Sequence, residues 1–349
     1  MDALFSIINK PLGFILKFIA EIFGGSFAVA VFVFTILINL ALIPLSIKSQ
    51  KSSVQQTRIK PKLDELKKKY GDDKQRYSQE MQKLYQEENV SMSGGCLPMI
   101  FRLVLMMSIY YLILSPLTYM TGIEEAKVKN VTKVVSSTMA DLKDDDEDKY
   151  NEVAKKLDWE EKNQSNQLGL VRIIRGNTEV LKDILSEKDY KKIEKDLKYI
   201  EQKDEEIGIN YNLFTEKIDL TESPKFSFDI IGSWKPIWLM PLLAFACQMF
   251  TSWLSMRMQK KINPDAPSMA GMMLTMPLIS LFIGFALPGG VTFYWACSSL
   301  IGGFIQMGVQ NFYGPHKMLS RERMKELTKQ CDFEALQISK HSTADGGEN

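Results

Sequence analysis

Histidine and cysteine are scarce in this chain. Two His, at 316 and 341, leave little for a His-based metal site. Four Cys, at 96, 247, 297 and 331, cannot staple 349 residues as a dense disulfide scaffold. Net charge is scarce too. Lys and Arg total 43, Asp and Glu 42, so the chain is not a globally basic nucleic-acid binder. The hydrophobic share of 45% argues against a disordered chain. No Gly-x-x-x-x-Gly-Lys-Ser/Thr loop is present, and no cofactor or resident metal is expected.

The more informative absence is local. Residues 22–47 carry no charge, 89–123 carry only Arg102, and 236–256 carry none. Residues 266–316 carry no formal charge over 51 positions. A helix needs about 20 mainly apolar residues to cross the hydrocarbon. The first three stretches each hold one span. The fourth holds two, divided at Leu287-Pro288-Gly289-Gly290, a tight-turn signal. The expectation is an all-α polytopic membrane protein with five transmembrane helices, at 27–47, 95–119, 236–256, 269–287 and 288–312. Buried core helices of a soluble protein would be shorter and amphipathic.

Basic residues near span ends set the orientation. Segment 48–94 has 11 Lys/Arg against 7 acids. The link 257–268 carries Arg257, Lys260 and Lys261 against Asp265, and the tail 313–349 opens with Lys317, Arg321, Arg323, Lys325 and Lys329. All three fall on one side of a five-span layout. That side is cytoplasmic, which puts the N-terminus, segment 120–235 and the Pro288 turn outside. Segment 120–235 has 20 basic and 26 acidic residues, but long loops cross regardless of charge.

Residues 1–26 are apolar with Lys10, Pro11, Lys17 and Glu21, and read as an amphipathic helix lying in the outer interface. Within 48–94, Ile59, Leu63, Leu66 and Tyr70, then Tyr77, Met81 and Leu84, keep coiled-coil seam spacings on either side of Gly71-Asp72-Asp73. A cytoplasmic helical hairpin follows. Segment 120–235 reads as an enlarged extracellular insert, helical around 125–140, 147–162 and 176–206. Its Asp144–Asp148 run lacks the glycine turn and alternating ligands of a calcium loop and reads as solvated surface.

Polar side chains inside spans are costly and mark candidate sites. At about 1.5 Å per residue from the cytoplasmic edge, Asn39 and Gln248 lie roughly 13 Å deep, and Arg102 and Gln306 roughly 11 Å. Thr275 comes at a similar depth in the fourth span. The outer halves hold Ile, Leu, Phe, Trp and Met. A polar layer that stops half-way suggests a wet groove, open to the cytoplasm and closed outside, rather than a through-pore. Hydrogen bonding between helices is the plainer role for the neutral residues, and snorkelling the plainer role for Arg102.

Several motifs, taken together, resemble the YidC/Oxa/Alb family of membrane protein insertases in its short Gram-positive form. They are Lys10-Pro11-Leu12-Gly13, Leu42-Ile43-Pro44-Leu45-Ser46-Ile47-Lys48, Pro61-Lys62-Leu63 and Met81-Gln82-Lys83-Leu84-Tyr85. Further along come Gly94-Gly95-Cys96-Leu97-Pro98, Ile218-Asp219-Leu220, Met276-Pro277-Leu278, Leu287-Pro288-Gly289-Gly290, Phe293-Tyr294-Trp295 and Ser298. The resemblance implies a non-enzymatic protein that inserts small membrane proteins, alone or beside the Sec translocon, and helps others fold. Implied partners are nascent membrane-protein substrates, the ribosome and the bilayer, with no small-molecule substrate.

The chain departs from the family pattern at paired positions. Asn39 stands where the family usually has arginine, five residues before Pro44. Arg102 stands where it usually has glutamine, four residues after Pro98. The groove's positive charge is thereby expected to have moved from the first span to the second. A diverged member acting mainly as a folding chaperone is the nearest alternative. A channel or carrier would need polar lining in the outer half. A membrane-embedded hydrolase would need a catalytic pair, and the spans hold no Asp, Glu or His.

Overall fold

The computed structural model describes residues 2–88, 90, 97–157, 159, 167–176, 178–213, 217–227, 232, 234–262, 270–314, 317, 320, 324 and 327–335. Side chains at a few helical positions, Arg102 and Pro98 among them, are outside this description. The class expected from the sequence is the class observed: the described residues are helical, with only isolated bridges at Ser26–Asn210 and Asn212–Asp219.

In chain order the helices are α1 (Asp2–Ile22), α2 (Phe27–Ala41), α3 (Ile43–Tyr70), α4 (Lys74–Glu87), α5 (Leu97–Leu114) and α6 (Pro116–Tyr119). Then come α7 (Glu125–Asp145), α8 (Glu147–Lys156), α9 (Gln167–Gly176), α10 (Thr178–Ile184) and α11 (Glu187–Ile207). A 3₁₀ turn, Pro236–Trp238, leads into α12 (Leu239–Ile262), followed by α13 (Ala270–Gly284) and α14 (Gly289–Tyr313). Pro44 explains the break between α2 and α3. It lacks an N–H and its ring crowds the preceding turn, so the chain restarts with proline in the first turn of α3.

The chain divides into two compact units. The first comprises Met1–Leu40, Arg102–Leu254 and Ser268–Gly303. Its core runs continuously from Phe27, Val31 and Phe34 on α2, through Ile109, Leu112 and Ile113 on α5, to Val128, Val131, Val135 and Met139 on α7. α7 and α11 pack lengthwise, with Ile193, Leu197 and Ile200 of α11 buried. The acidic segment is thus a packed helical domain whose apolar residues are concentrated on inward faces. It contains α9, a helix the periodicity reading did not anticipate, and splits the expected 176–206 helix at Ser186. The Ser186 hydroxyl accepts the Asp189 N–H and caps α11. Among the helices of this unit, α1 buries Leu16, Ile19 and Ala20 while leaving Ile7, Phe14, Phe18 and Ile22 exposed.

The second unit comprises Ala41–Phe101, Ser255–Pro267 and Phe304–Asn349. Here α3 packs on α4 across a turn at Gly71–Asp73, and Asp73 caps α4 by accepting the Arg76 N–H at 3.0 Å. Leu63, Leu66, Tyr70, Tyr77, Met81 and Leu84 are half-buried while most of their neighbours are exposed. The Lys62 ammonium pairs with the Glu88 carboxylate across the two helices.

Large apolar side chains stand exposed along several helices. They include Phe32 and Leu37 on α2, Leu242 and Phe250 on α12, Met276 and Phe282 on α13, and Phe304 on α14. Water would penalise such surfaces and lipid would not. Among the described residues, Pro236–Met258 is long and apolar enough to cross a membrane, and Leu103–Leu114 and Thr275–Gly284 are shorter apolar helices.

Candidate substrate groove

In the first unit, two consecutive glycines on α14 bring three helices to one level. Asn39 of α2 donates its amide N–H to the Thr35 carbonyl at 2.8 Å. Its Oδ1 faces α14, where a Cβ built on Gly302 would lie 3.2 Å from it. A Cβ on Gly303 would lie 2.5 Å from Thr251 Cγ2 on α12. Small residues let membrane helices approach this closely. One turn before Thr251, Gln248 Oε1 lies 2.6 Å from the Ser280 hydroxyl of α13, which is also 2.8 Å from the Pro277 carbonyl. That hydroxyl has one hydrogen and donates to one acceptor at a time.

A seam of small and polar residues therefore runs Asn39, Gly302-Gly303, Thr251, Gln248, Ser280 through α2, α14, α12 and α13, with Gln248 and Ser280 bonded between helices and the Thr251 hydroxyl bonded within α12. Asn39 and Gln248 are half-buried. Thr275 lies exposed on α13, five residues from Ser280, or about 7.5 Å along the helix. Ser280 is the residue that meets Gln248. Gln306 belongs to the second unit, where its amide lies 3.4 Å from Gln50 Oε1. Arg102 is a residue of α5. Gly94, Gly95 and Cys96 fall outside the described residues, as does the Pro98 side chain. Pro44 is exposed in α3; Pro277 and Tyr294 are buried; Trp295 and Ser298 are half-buried.

On the Phe27 side of this seam the packing turns apolar. Phe27, Ala30, Val31 and Phe34 of α2 are all buried. They end at the Pro288-Gly289-Gly290 turn, with Pro288 buried. A Cβ on Gly290 would lie 3.1 Å from Ile113 Cγ2, 3.2 Å from Phe27 Cε1 and 3.3 Å from the Leu220 carbonyl oxygen. Trp238 and Phe285 meet edge to face at 5.3 Å beside it. The buried hydroxyl of Thr292 is satisfied within its own helix by the Gly289 carbonyl.

Sequence reasoning passed over Ser280, Thr251 and the glycine pair. Lone hydroxyls are common in apolar helices, and the signal for this set was Gly302-Gly303 in the middle of a span.

Helices with apolar outer faces around an internal seam of small and polar residues form the core of a helical membrane protein. The family described as 60Kd inner membrane protein matches residues 18–203 and 207–316, most of the chain. The chain belongs to that family, the YidC/Oxa1 family. It is 39% identical over 104 residues to membrane protein insertase YidC 1 of Listeria monocytogenes serotype 4b, covering 29% of this chain and 36% of the relative. It is 38% identical over 111 residues to membrane protein insertase YidC of Alkalihalophilus pseudofirmus, covering 30% and 44%. It is 30% identical over 110 residues to membrane protein insertase YidC of Fusobacterium nucleatum, covering 32% and 53%. The chain thus spans about a third to a half of the length of these curated relatives.

Proposed function

We propose that this protein is a membrane protein insertase of the bacterial cell membrane with five spans, an outside N-terminus and a cytoplasmic C-terminus. The observation that carries the reading is the polar seam of Asn39, Thr251, Gln248 and Ser280, backed by the apolar packing at Gly290. Such a groove solvates a short hydrophilic tail on one side of the bilayer and offers it no wet path onward.

The α3–α4 hairpin meets the emerging chain or the ribosome. The substrate's tail enters the groove, where amide and hydroxyl groups replace part of its hydration. Arg102 attracts acidic tails, and Asn39 supplies neutral hydrogen bonding. Thr275 extends the polar lining toward the cytoplasm. The substrate's apolar segment then leaves into lipid, and its transfer drives the step. The membrane potential adds about 2.3 kcal/mol per charge per 100 mV to export of acidic tails. The Sec translocon is a partner for larger clients. The basic tail after Tyr313 holds the cytoplasmic side to anionic lipid.

The test is growth rescue of an insertase-depleted bacterium. The wild-type chain is expected to restore both growth and insertion of a single-span client. Rescue of folding without insertion would favour a dedicated chaperone, and ion currents without either would favour a channel.

A further inference from the structure

Where the chain of the insert returns to the core after α11, one short segment bonds to several partners at once. Arg175, at the end of α9, holds Asp204 of α11 with two parallel bonds, Nε–Oδ2 at 2.6 Å and Nη2–Oδ1 at 2.8 Å. Its remaining nitrogen donates to the Ile209 carbonyl at 2.6 Å. Its guanidinium lies 4.8 Å from the centre of the Tyr211 ring, which in turn lies 4.9 Å from the Phe27 ring. The Asp204 carboxylate is only 4% exposed while the Arg175 side chain keeps 32%, so the buried acid depends on the two-pronged bond for its compensation.

Residues beyond the clamp bond to the ends of two core helices. Gly208 ends α11 in the left-handed region, at φ 60°. Asn210 then donates to the Gly25 carbonyl at 2.8 Å and accepts the Phe27 N–H at 2.9 Å. The chain folds back, Leu220 donating to the Tyr211 carbonyl at 3.1 Å. The Leu220 carbonyl accepts the Gly290 N–H at 2.7 Å, and the Glu222 carbonyl accepts the Gly289 N–H at 2.8 Å. Those two N–H groups belong to the first turn of α14, which has no intrahelical partners for them. At the edge of a bilayer such groups are costly to leave open.

We propose that residues 208–213 and 217–222 form a strap that closes the outer end of the membrane core, and that Arg175 is its positioning residue. The strap ties the start of α2 to the start of α14 over the Phe27, Ile113, Leu220 and Gly290 contact. It keeps the groove one-sided, so an insertase with a wet interior does not leak protons. The insert is then the strap's anchor. This proposal rests on the insertase topology given above.

The test uses the full chain in sealed proteoliposomes of bacterial lipid. Two readings are taken: amide hydrogen exchange at Asn210, Gly289 and Gly290, and decay of an imposed pH gradient. Arg175→Gln leaves the buried Asp204 carboxylate without its charged partner and is expected to speed exchange at those amides about a hundredfold or more. The gradient is expected to collapse at least about tenfold faster, while Arg175→Lys, which keeps the charge without the fork, falls between. Faster exchange with an intact gradient would overturn the seal. Unchanged exchange would overturn the role of Arg175. If Arg175→Gln does not fold, Gly290→Ala presses on the strap from α14 and must give the same pair of changes. Insertion is followed in the same vesicles: a wild type that holds its gradient but inserts no client sinks the insertase reading and not the strap.

Discussion

The carbonyl oxygen of the Asn39 side chain faces Gly302 so closely that a methyl group there would come within 3.2 Å of it. The glycine pair accommodates α2 at Gly302 and α12 at Gly303, and therefore sets the width of the seam between them.

Gly303 is the tighter of the two, with Thr251 Cγ2 only 2.5 Å from the methyl that alanine would add. Gly303→Ala is expected to cost about 1–3 kcal/mol as overpacking, read as a lower melting temperature in detergent. Thr251→Ser removes that methyl and keeps the hydroxyl. In combination it should recover most of the loss, whereas Thr251→Ser alone should change little.

Gln248 and Ser280 are joined at 2.6 Å across α12 and α13. Interhelical hydrogen bonds in membranes average about 0.6 kcal/mol and reach about 1.7. A double-mutant cycle of Gln248→Ala and Ser280→Ala should return a coupling in that range. Zero coupling would mean that the two residues serve the groove separately.

The Tyr211 phenol is pushed above its ordinary value of 10.0, chiefly by burial. A raised folded-state value means stability that is complete below about pH 10 and lost as pH climbs toward the folded value. The strap should therefore loosen in alkali, and Tyr211→Phe should remove that part of the pH dependence. Ultraviolet tyrosinate absorbance, compared between wild type and Tyr211→Phe, reads it directly.

Arg102 and Asn39 make a paired prediction about clients. Arg102→Gln should reduce insertion of substrates with acidic tails more than those with neutral tails. Adding Asn39→Arg should restore it. An equal loss for both kinds of tail would assign Arg102 to packing or to the interface instead.

Much of this was legible in the sequence because membrane helices advertise themselves by missing charge. The helical class and the family followed from the charge-free stretches and from motifs such as Pro288-Gly289-Gly290 and Tyr294-Trp295. Side-chain meetings were less legible. Depth counting by rise per residue pointed to Thr275 on α13, but it fixes neither rotation nor sliding, and it is Ser280 that reaches Gln248. The insert was the least legible part. Its lysines and acids read as surface, and they are, but Arg175 and Asp204 look no different in sequence from the paired charges around them. Only the fold brings α9 against the end of α11.

A groove wet at Gln248 and dry at Ile113 can be read by photo-crosslinking. A photoreactive residue is placed at position 248 or 113 and challenged with a stalled ribosome bearing a membrane-protein chain. Adducts are expected between position 248 and the client's hydrophilic tail, and none from position 113. Equal adducts at both positions would contradict it, because the tail would then have a continuous path through the core.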